Sequence, residues 1–289
     1  MIESIQSVLD QDYSNIEIIV VDDCSSDSSK QAIEEFLSDK PAISFLALDT
    51  NIGNCKAFNI GYRKSKGKYV IDLATDDKLC KTRISEQVEA FESLDATYGV
   101  VYSDAQIMDE KGLPLYTHCS GYPSYQDDVY QHLISTYFVS PPTMMIKREV
   151  LDLLGGYDES LAYEDFDFWI RSSRYFKYHF IDKVLTEVRQ VKGSKSSHYH
   201  ERMKHYTLST IQVCHKIKEQ NKTEEENRAL VSRIRYEMKH SAVRGMKHES
   251  RQFYELLSQL TLPTLRDKIF LRISGCGLNL WPIVKLVKS

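Results

Sequence analysis

Between Ile16 and Val21 five of six residues are aliphatic, interrupted only by Glu17, and the run ends at Asp22-Asp23. A short continuous apolar run has no solvent face, so it predicts a strand covered on both sides, as in a parallel sheet. Parallel strands need a crossover, and the following residues supply the pattern. Residues 3–10 predict a helix with Ile5, Val8 and Leu9 on one face. The Ser-rich stretch 25–29 caps a helix over about 30–38. A strand is expected over 43–48, a helix over 51–65 behind a turn at Gly53, and a strand over 69–73 that runs into Ala74-Thr75-Asp76-Asp77. A helix near 82–94 and a strand over 99–103 continue the alternation. This order predicts a doubly wound, Rossmann-like α/β sheet.

Past residue 104 the pattern is mixed, with a strand expected at 143–146 and a helix at 148–154 broken by Gly155-Gly156. Phe166, Trp169 and Ile170 give helical spacing to 163–175. From 200 onward long charged amphipathic helices are expected over 201–220 and 224–258, with Pro263 as a boundary. The chain is therefore read as an α/β domain over 1–199 and a helical C-terminal extension over 200–289. Residues 265–289 are apolar with five basic residues and one acid. Basic residues around an apolar face with Trp281 suit a membrane-surface tail. A helix docked on its own chain fits the same pattern, and Gly275, Gly277 and Pro282 break any single long helix.

Composition narrows the function classes. A net charge of −4 gives no basic field to recruit nucleic acid. Six scattered cysteines without a CxxC pair fit neither a zinc site nor a disulfide framework, which favours a reducing, cytoplasmic compartment. The start lacks the basic and apolar run of a signal peptide. The uncharged stretch from Ile273 to Val284 is 12 residues, short of the roughly 20 that span a bilayer. A cytoplasmic protein, held at most at the inner face of the membrane, is expected.

Three acidic clusters carry the chemistry. Asp22-Asp23 and Asp76-Asp77 both follow apolar strands, and ligands of open α/β sheets bind at the carboxyl ends of strands. Such carboxylates can bind base or ribose, or hold a hard divalent cation; a strand-end Asp can also merely cap a turn. The third cluster is Tyr163-Glu164-Asp165-Phe166-Asp167-Phe168-Trp169-Ile170-Arg171. Acids gain from a helix N-terminus, and Asp167 and Arg171 are spaced for an i,i+4 pair. Lys56 can reach a phosphate or stand as an exposed helix lysine. Lys192, Lys195, His198 and His200 sit on a polar stretch that suits either diphosphate contact or solvent. Trp169 suits the core or an acceptor wall. No GxGxxG or GxxxxGK[ST] loop is present, so dinucleotide and P-loop readings lack their phosphate cradle.

In order, the stretches SVLDQDY, NIEIIVVDDCSSDSS, NIGNCKAFNIGYRKSKGKYV, LATDDKL and LLGGYDESLAYEDFDFWIR resemble the blocks of family 2 glycosyltransferases with the GT-A fold. They cover residues 4–192. The resemblance implies that Asp22 and Asp23 contact base and ribose. It implies that Asp76 and Asp77 contact ribose and metal, with Asp77 on Mg2+ or Mn2+, and that Asp165 is the general base with Glu164 beside it. It implies an inverting transfer from a nucleoside-diphosphate sugar, a UDP-sugar above others, to a saccharide or lipid-linked acceptor in bacterial surface polysaccharide synthesis. Ala74 departs from relatives that carry an acid there. The Gln-x-x-Arg-Trp motif of processive synthases is absent, which implies one sugar per event. A catalytically inactive nucleotide-binding α/β domain is the alternative. Relatives place an apolar strand before the SVLDQDY helix, so the first β-strand is expected to be missing here. The functional chain is then expected to begin upstream of Met1 by roughly 10–20 residues, one strand and one loop.

Overall fold

The structure, a computed structural model, describes residues 1–190 and 199–281. Its first half alternates as expected: α1 (Ile2–Leu9), β1 (Ile19–Asp22), α2 (Ser29–Leu37), β2 (Ser44–Ala47), α3 (Asn54–Lys64), β3 (Tyr69–Val70), β4 (Lys78–Leu79), α4 (Arg83–Ser93) and β5 (Tyr98–Met108). There follow β6 (Pro114–Thr117), α5 (Tyr130–Ser135), β7 (Met145–Lys147), α6 (Arg148–Leu154), α7 (Glu164–Ser173) and β8 (Lys177–Arg189). The chain closes with α8 (Tyr199–Gln220), α9 (Glu224–Val243), α10 (Lys247–Leu260) and α11 (Leu265–Gly275). Contacts divide it into two units. The first takes residues 1–129, 138–160 and 171–197; the second takes 130–137, 161–170 and 198–289. Segments 130–137 and 161–170, which a linear reading places in the α/β domain, thus group with the C-terminal helices.

In the first unit β1 and β2 form a parallel pair, Ile19 opposite Ser44 and Asp22 opposite Ala47. A separate six-stranded sheet runs β3-β7-β5-β8-β4, with β6 on β5. The sheet is Rossmann-like, as expected, and mixed in strand direction. β5 and β8 are parallel along most of their length, while β7 runs antiparallel to β3 and β5, and β4 antiparallel to β8. The mixture arises because β7 returns into the sheet between β3 and β5. Among the described residues no strand joins β1 to β3. β5 lies inside the sheet, and Val100, Val101, Tyr102 and Ala105 on it are buried. Ile5, Val20 and Ile33 pack α1 and α2 onto β1, and Ile84 and Phe91 of α4 pack against Val101 and Met145.

In the second unit α9 is the hub, touching α5, α8, α10 and α11. The single helix expected over 224–258 is two, because Gly245 takes φ +73 between α9 and α10. Only glycine adopts this without cost, and a Cβ there would come within 2.9 Å of the Gly277 carbonyl oxygen. Arg233 is buried with its guanidinium 4.0 Å from the Tyr137 ring centroid, and it donates to the Ile134 carbonyl at 2.8 Å. No helix among the described residues is long and apolar enough to cross a membrane.

Candidate active site

Asp22 is the last residue of β1 and is buried. Its carboxylate accepts hydrogen bonds from the Ser25 N–H at 3.2 Å and from the Ser25 hydroxyl. Asp23 lies one residue on and grips the next loop: one oxygen accepts from the Ile52 N–H at 2.7 Å, the other from the Gly53 N–H at 2.9 Å. Asn51 Nδ2 donates back to the Asp23 carbonyl at 2.9 Å. Gly53 sits at φ +90 ahead of α3 and has no capping side chain, so Asp23 satisfies backbone donors at this helix entry. A carboxylate has about four lone-pair sites, and each of the two Asp groups keeps capacity for a ligand.

Asp76 and Asp77 sit in the turn between β3 and β4, which closes through the Asp77 N–H to the Ala74 carbonyl at 3.1 Å. The Ser4 hydroxyl of α1 donates to the same carbonyl at 3.3 Å. Since Ile5 packs on Val20, α1 braces both acidic strand ends. Asp77 is buried, and its carboxylate accepts the Arg189 N–H at 3.1 Å. Burial first, and then the Asp76 charge, push its carboxyl up to about 7 against the pull of Arg189 and Arg83. Asp76 is half-buried and lines a cleft of about 40 Å3 with Lys78, Met108, Gly112, Glu187 and Arg189. Glu3 bridges Lys78 and Arg189, each at 2.8 Å, and hydrogen bonds from these two cations hold its carboxyl down at about 2.

Arg83 lies beneath this turn with no exposed surface. Its guanidinium donates to Gln87 Oε1 at 3.1 Å, Thr186 Oγ1 at 2.9 Å and the Met144 carbonyl at 3.1 Å. Burial lowers it to about 9. Among the described residues no group of three or more His, Cys, Asp or Glu is placed to hold a metal. Asp76 and Asp77 supply two adjacent hard oxygen donors. That fits a cation bound through one or two carboxylates and completed by phosphates and water.

The third cluster belongs to the second unit. Glu164 and Asp165 are half-buried in the first turn of α7, where the helix dipole favours them. Asp167 is buried and paired with Lys216 Nζ at 2.6 Å. Phe166, Phe168 and Trp169 are also buried, and the Trp169 ring lies 6.0 Å from Tyr137. At this position Trp169 is a core residue, without the exposed ring a substrate contact needs. Lys56 is exposed on α3, where its charge helps to hold Glu159 ionised. Lys192, Lys195 and His198 lie outside the described residues, as does the side chain of His200.

Several polar residues of the first unit have partners that the sequence pattern does not give. Arg189 ends β8, a strand absent from the sequence reading because Lys177–Arg189 mixes charges with apolar residues. Arg83 and Gln87 could have been found, since they are polar residues at i,i+4 on the apolar face of α4. Asn59 is buried and reads the backbone of the Gly-Gly turn. Its Oδ1 accepts the Tyr157 N–H at 2.9 Å, and its Nδ2 donates to the Tyr157 carbonyl at 2.9 Å. Arg171, in the last turn of α7, donates to the carbonyls of Leu154 at 2.9 Å and Gly156 at 3.1 Å.

Strand-end acids without a glycine-rich phosphate loop, on a mixed Rossmann-like sheet, set the chain apart from dinucleotide-binding and P-loop proteins. Residues 1–155 match the model of glycosyl transferase family 2, and the chain belongs to that family. An uncharacterised glycosyltransferase of Rickettsia prowazekii is 32% identical over 195 residues, 65% of this chain and 59% of that one. The putative teichuronic acid biosynthesis glycosyltransferase TuaG of Bacillus subtilis is 28% identical over 149 residues, 51% of this chain and 56% of its own. The chain thus spans about three fifths of the length of the first relatives it matches. Residues 1–349 of TarS from S. aureus, solved in complex with UDP, superpose with a TM-score of 0.69 at 17% identity. That match covers 96% of this chain and 83% of the TarS chain. It shows the shared GT-A fold.

Proposed function

We propose that this protein is a metal-dependent, inverting glycosyltransferase that adds one sugar from a nucleoside-diphosphate sugar to an acceptor hydroxyl. The observation that carries the reading is the buried Asp77 beside Asp76 at the β3–β4 turn, in a chain of this family. A buried carboxylate with a second acid next to it is costly unless a cation or a donor group meets it. Asp77, with Asp76 beside it, would hold Mg2+ or Mn2+. That ion, when bound, neutralises charge on the departing diphosphate. Asp22 and Asp23 are assigned to the base and ribose, and Asp23 also fixes the loop into α3.

Asp165, with Glu164 beside it, is assigned the acceptor proton. The acceptor oxygen bonds to the anomeric carbon from the face opposite the diphosphate. The carbon–oxygen bond to the diphosphate breaks, the proton passes to Asp165, and the configuration inverts. A positioned base of this kind contributes about 10²–10⁴-fold. The donor is a UDP-sugar and the acceptor a saccharide or lipid-linked saccharide of a bacterial surface polysaccharide, at the cytoplasmic side of the membrane. The similarity to TuaG supports that setting. Turnover of a panel of UDP-, dTDP- and GDP-sugars, with Mn2+ and with chelator, tests the proposal. Metal-dependent turnover of one donor class is expected. Nucleotide binding without turnover of any donor would favour an inactive nucleotide-binding domain instead.

A further inference from the structure

α11 is inside out. Its buried side carries Asp267 and Ser274, while Leu265 is 74% exposed and Ile269 46% exposed. Leu262, just before the helix, is 90% exposed. The buried side explains itself. Asp267 closes a capping box with Thr264 and accepts from Arg235 of α9 at 3.2 Å, so polar bonds dock the helix on the second unit. The outer side lacks such an account. Leu265 and Ile269 are four apart and share one face, with Lys268 and Arg272 beside them. Arg266, Lys268 and Arg272 are exposed, and none of them makes an ion pair among the described residues. Asp267 is the sole acid between residues 261 and 281, and it is buried.

We propose that this face of α11 rests on an anionic lipid surface. Apolar side chains flanked by cations match a bilayer interface, with aliphatic groups below the headgroups and ammonium or guanidinium groups at the phosphates. Lys and Arg stems reach along apolar surface and keep their charges outward. A second copy of the chain would bring the same three cations together, whereas anionic lipid complements them. The helix has 11 residues, far below the roughly 20 needed to span, so it lies along the surface. Trp281 is engaged elsewhere. Its ring lies 3.9 Å from the Arg244 guanidinium, and the Leu280 N–H donates to the Val243 carbonyl at 2.7 Å. Among the described residues the membrane-facing part is thus α11 with Leu262; residues 282–289 lie outside the described ones. The inference does not depend on glycosyl transfer.

Co-sedimentation of the full chain with phosphatidylcholine vesicles, with and without phosphatidylglycerol, tests it. Binding is expected only with phosphatidylglycerol and should weaken with salt. Leu262→Ser/Leu265→Ser/Ile269→Ser should reduce partition at least tenfold. Arg266→Gln/Lys268→Gln/Arg272→Gln should reduce it about fivefold per charge removed. Both sets change exposed positions, and an unchanged melting temperature verifies the fold. Equal vesicle binding by the apolar variant and the parent would overturn the proposal. So would a concentration-dependent dimer, abolished by the same apolar substitutions, in a protein that ignores vesicles.

Discussion

At Asp77 burial and charge oppose one another. The carboxyl is pushed up to about 7 by burial and by Asp76, so folding without metal favours protonation relative to the unfolded chain. A raised folded value means the associated stability is full below about pH 4, the unfolded range, and is lost as pH rises through about 7. The size is roughly 4 kcal/mol as an order of magnitude. Urea melts of metal-free protein across this window should show the loss, and Asp77→Asn should flatten it. Arg83 is the complementary case, a buried cation held by Gln87, Thr186 and the Met144 carbonyl. Arg83→Met removes the donor common to all three, and each buried group left unpaired costs about 1–3 kcal/mol. A fall of about 3 kcal/mol in unfolding free energy is expected. A midpoint equal to the parent's would show the network to be idle.

At the scale of elements, the turn between α6 and α7 is fixed by side chains from both sides in sequence, Asn59 of α3 and Arg171 of α7. Gly155 and Gly156 both have positive φ, yet their surroundings differ. A Cβ on Gly155 meets open space, whereas one on Gly156 would lie 2.3 Å from Asn59 Oδ1. Gly155→Ala should therefore cost about 1 kcal/mol, the left-handed penalty alone. Gly156→Ala should cost about 2–4 kcal/mol because the Asn59 bonds are also disturbed. Thermal melts of the two variants compare them directly, and equal losses would refute the packing argument. The glycine pair was visible in the sequence as a break; its partner was not, since a lone Asn in a helix carries no periodic signal. The same limit hid β8. A strand with Asp182 and Lys183 in its middle breaks the apolar run that betrayed β1. The continuous run at β1 was placed to within three residues, and the strand expected over 99–103 begins at Tyr98 but runs on to Met108. The strand expected over 69–73 shrank to two residues, because pairing with β7 ends at Val70.

For the whole molecule, the acidic strand ends and the helices after residue 200 could be read from local pattern. The compact units could not. Segments 130–137 and 161–170 leave the linear order to join α8–α11, a choice made by tertiary contacts such as Arg233 to Ile134 and Asp167 to Lys216. Asp22, Asp23, Asp76 and Asp77 thus belong to one unit and Asp165 to the other. The two proposed roles should separate under mutation. Asp77→Ala should weaken Mn2+-dependent UDP binding, while leaving Asp165 untouched. The most direct measurement is the transfer rate of Asp165→Asn set beside its affinity for UDP with Mn2+. Unchanged affinity and a rate lower by about 10²–10⁴-fold are expected. Near parental transfer by Asp165→Asn would contradict the proposed role of Asp165.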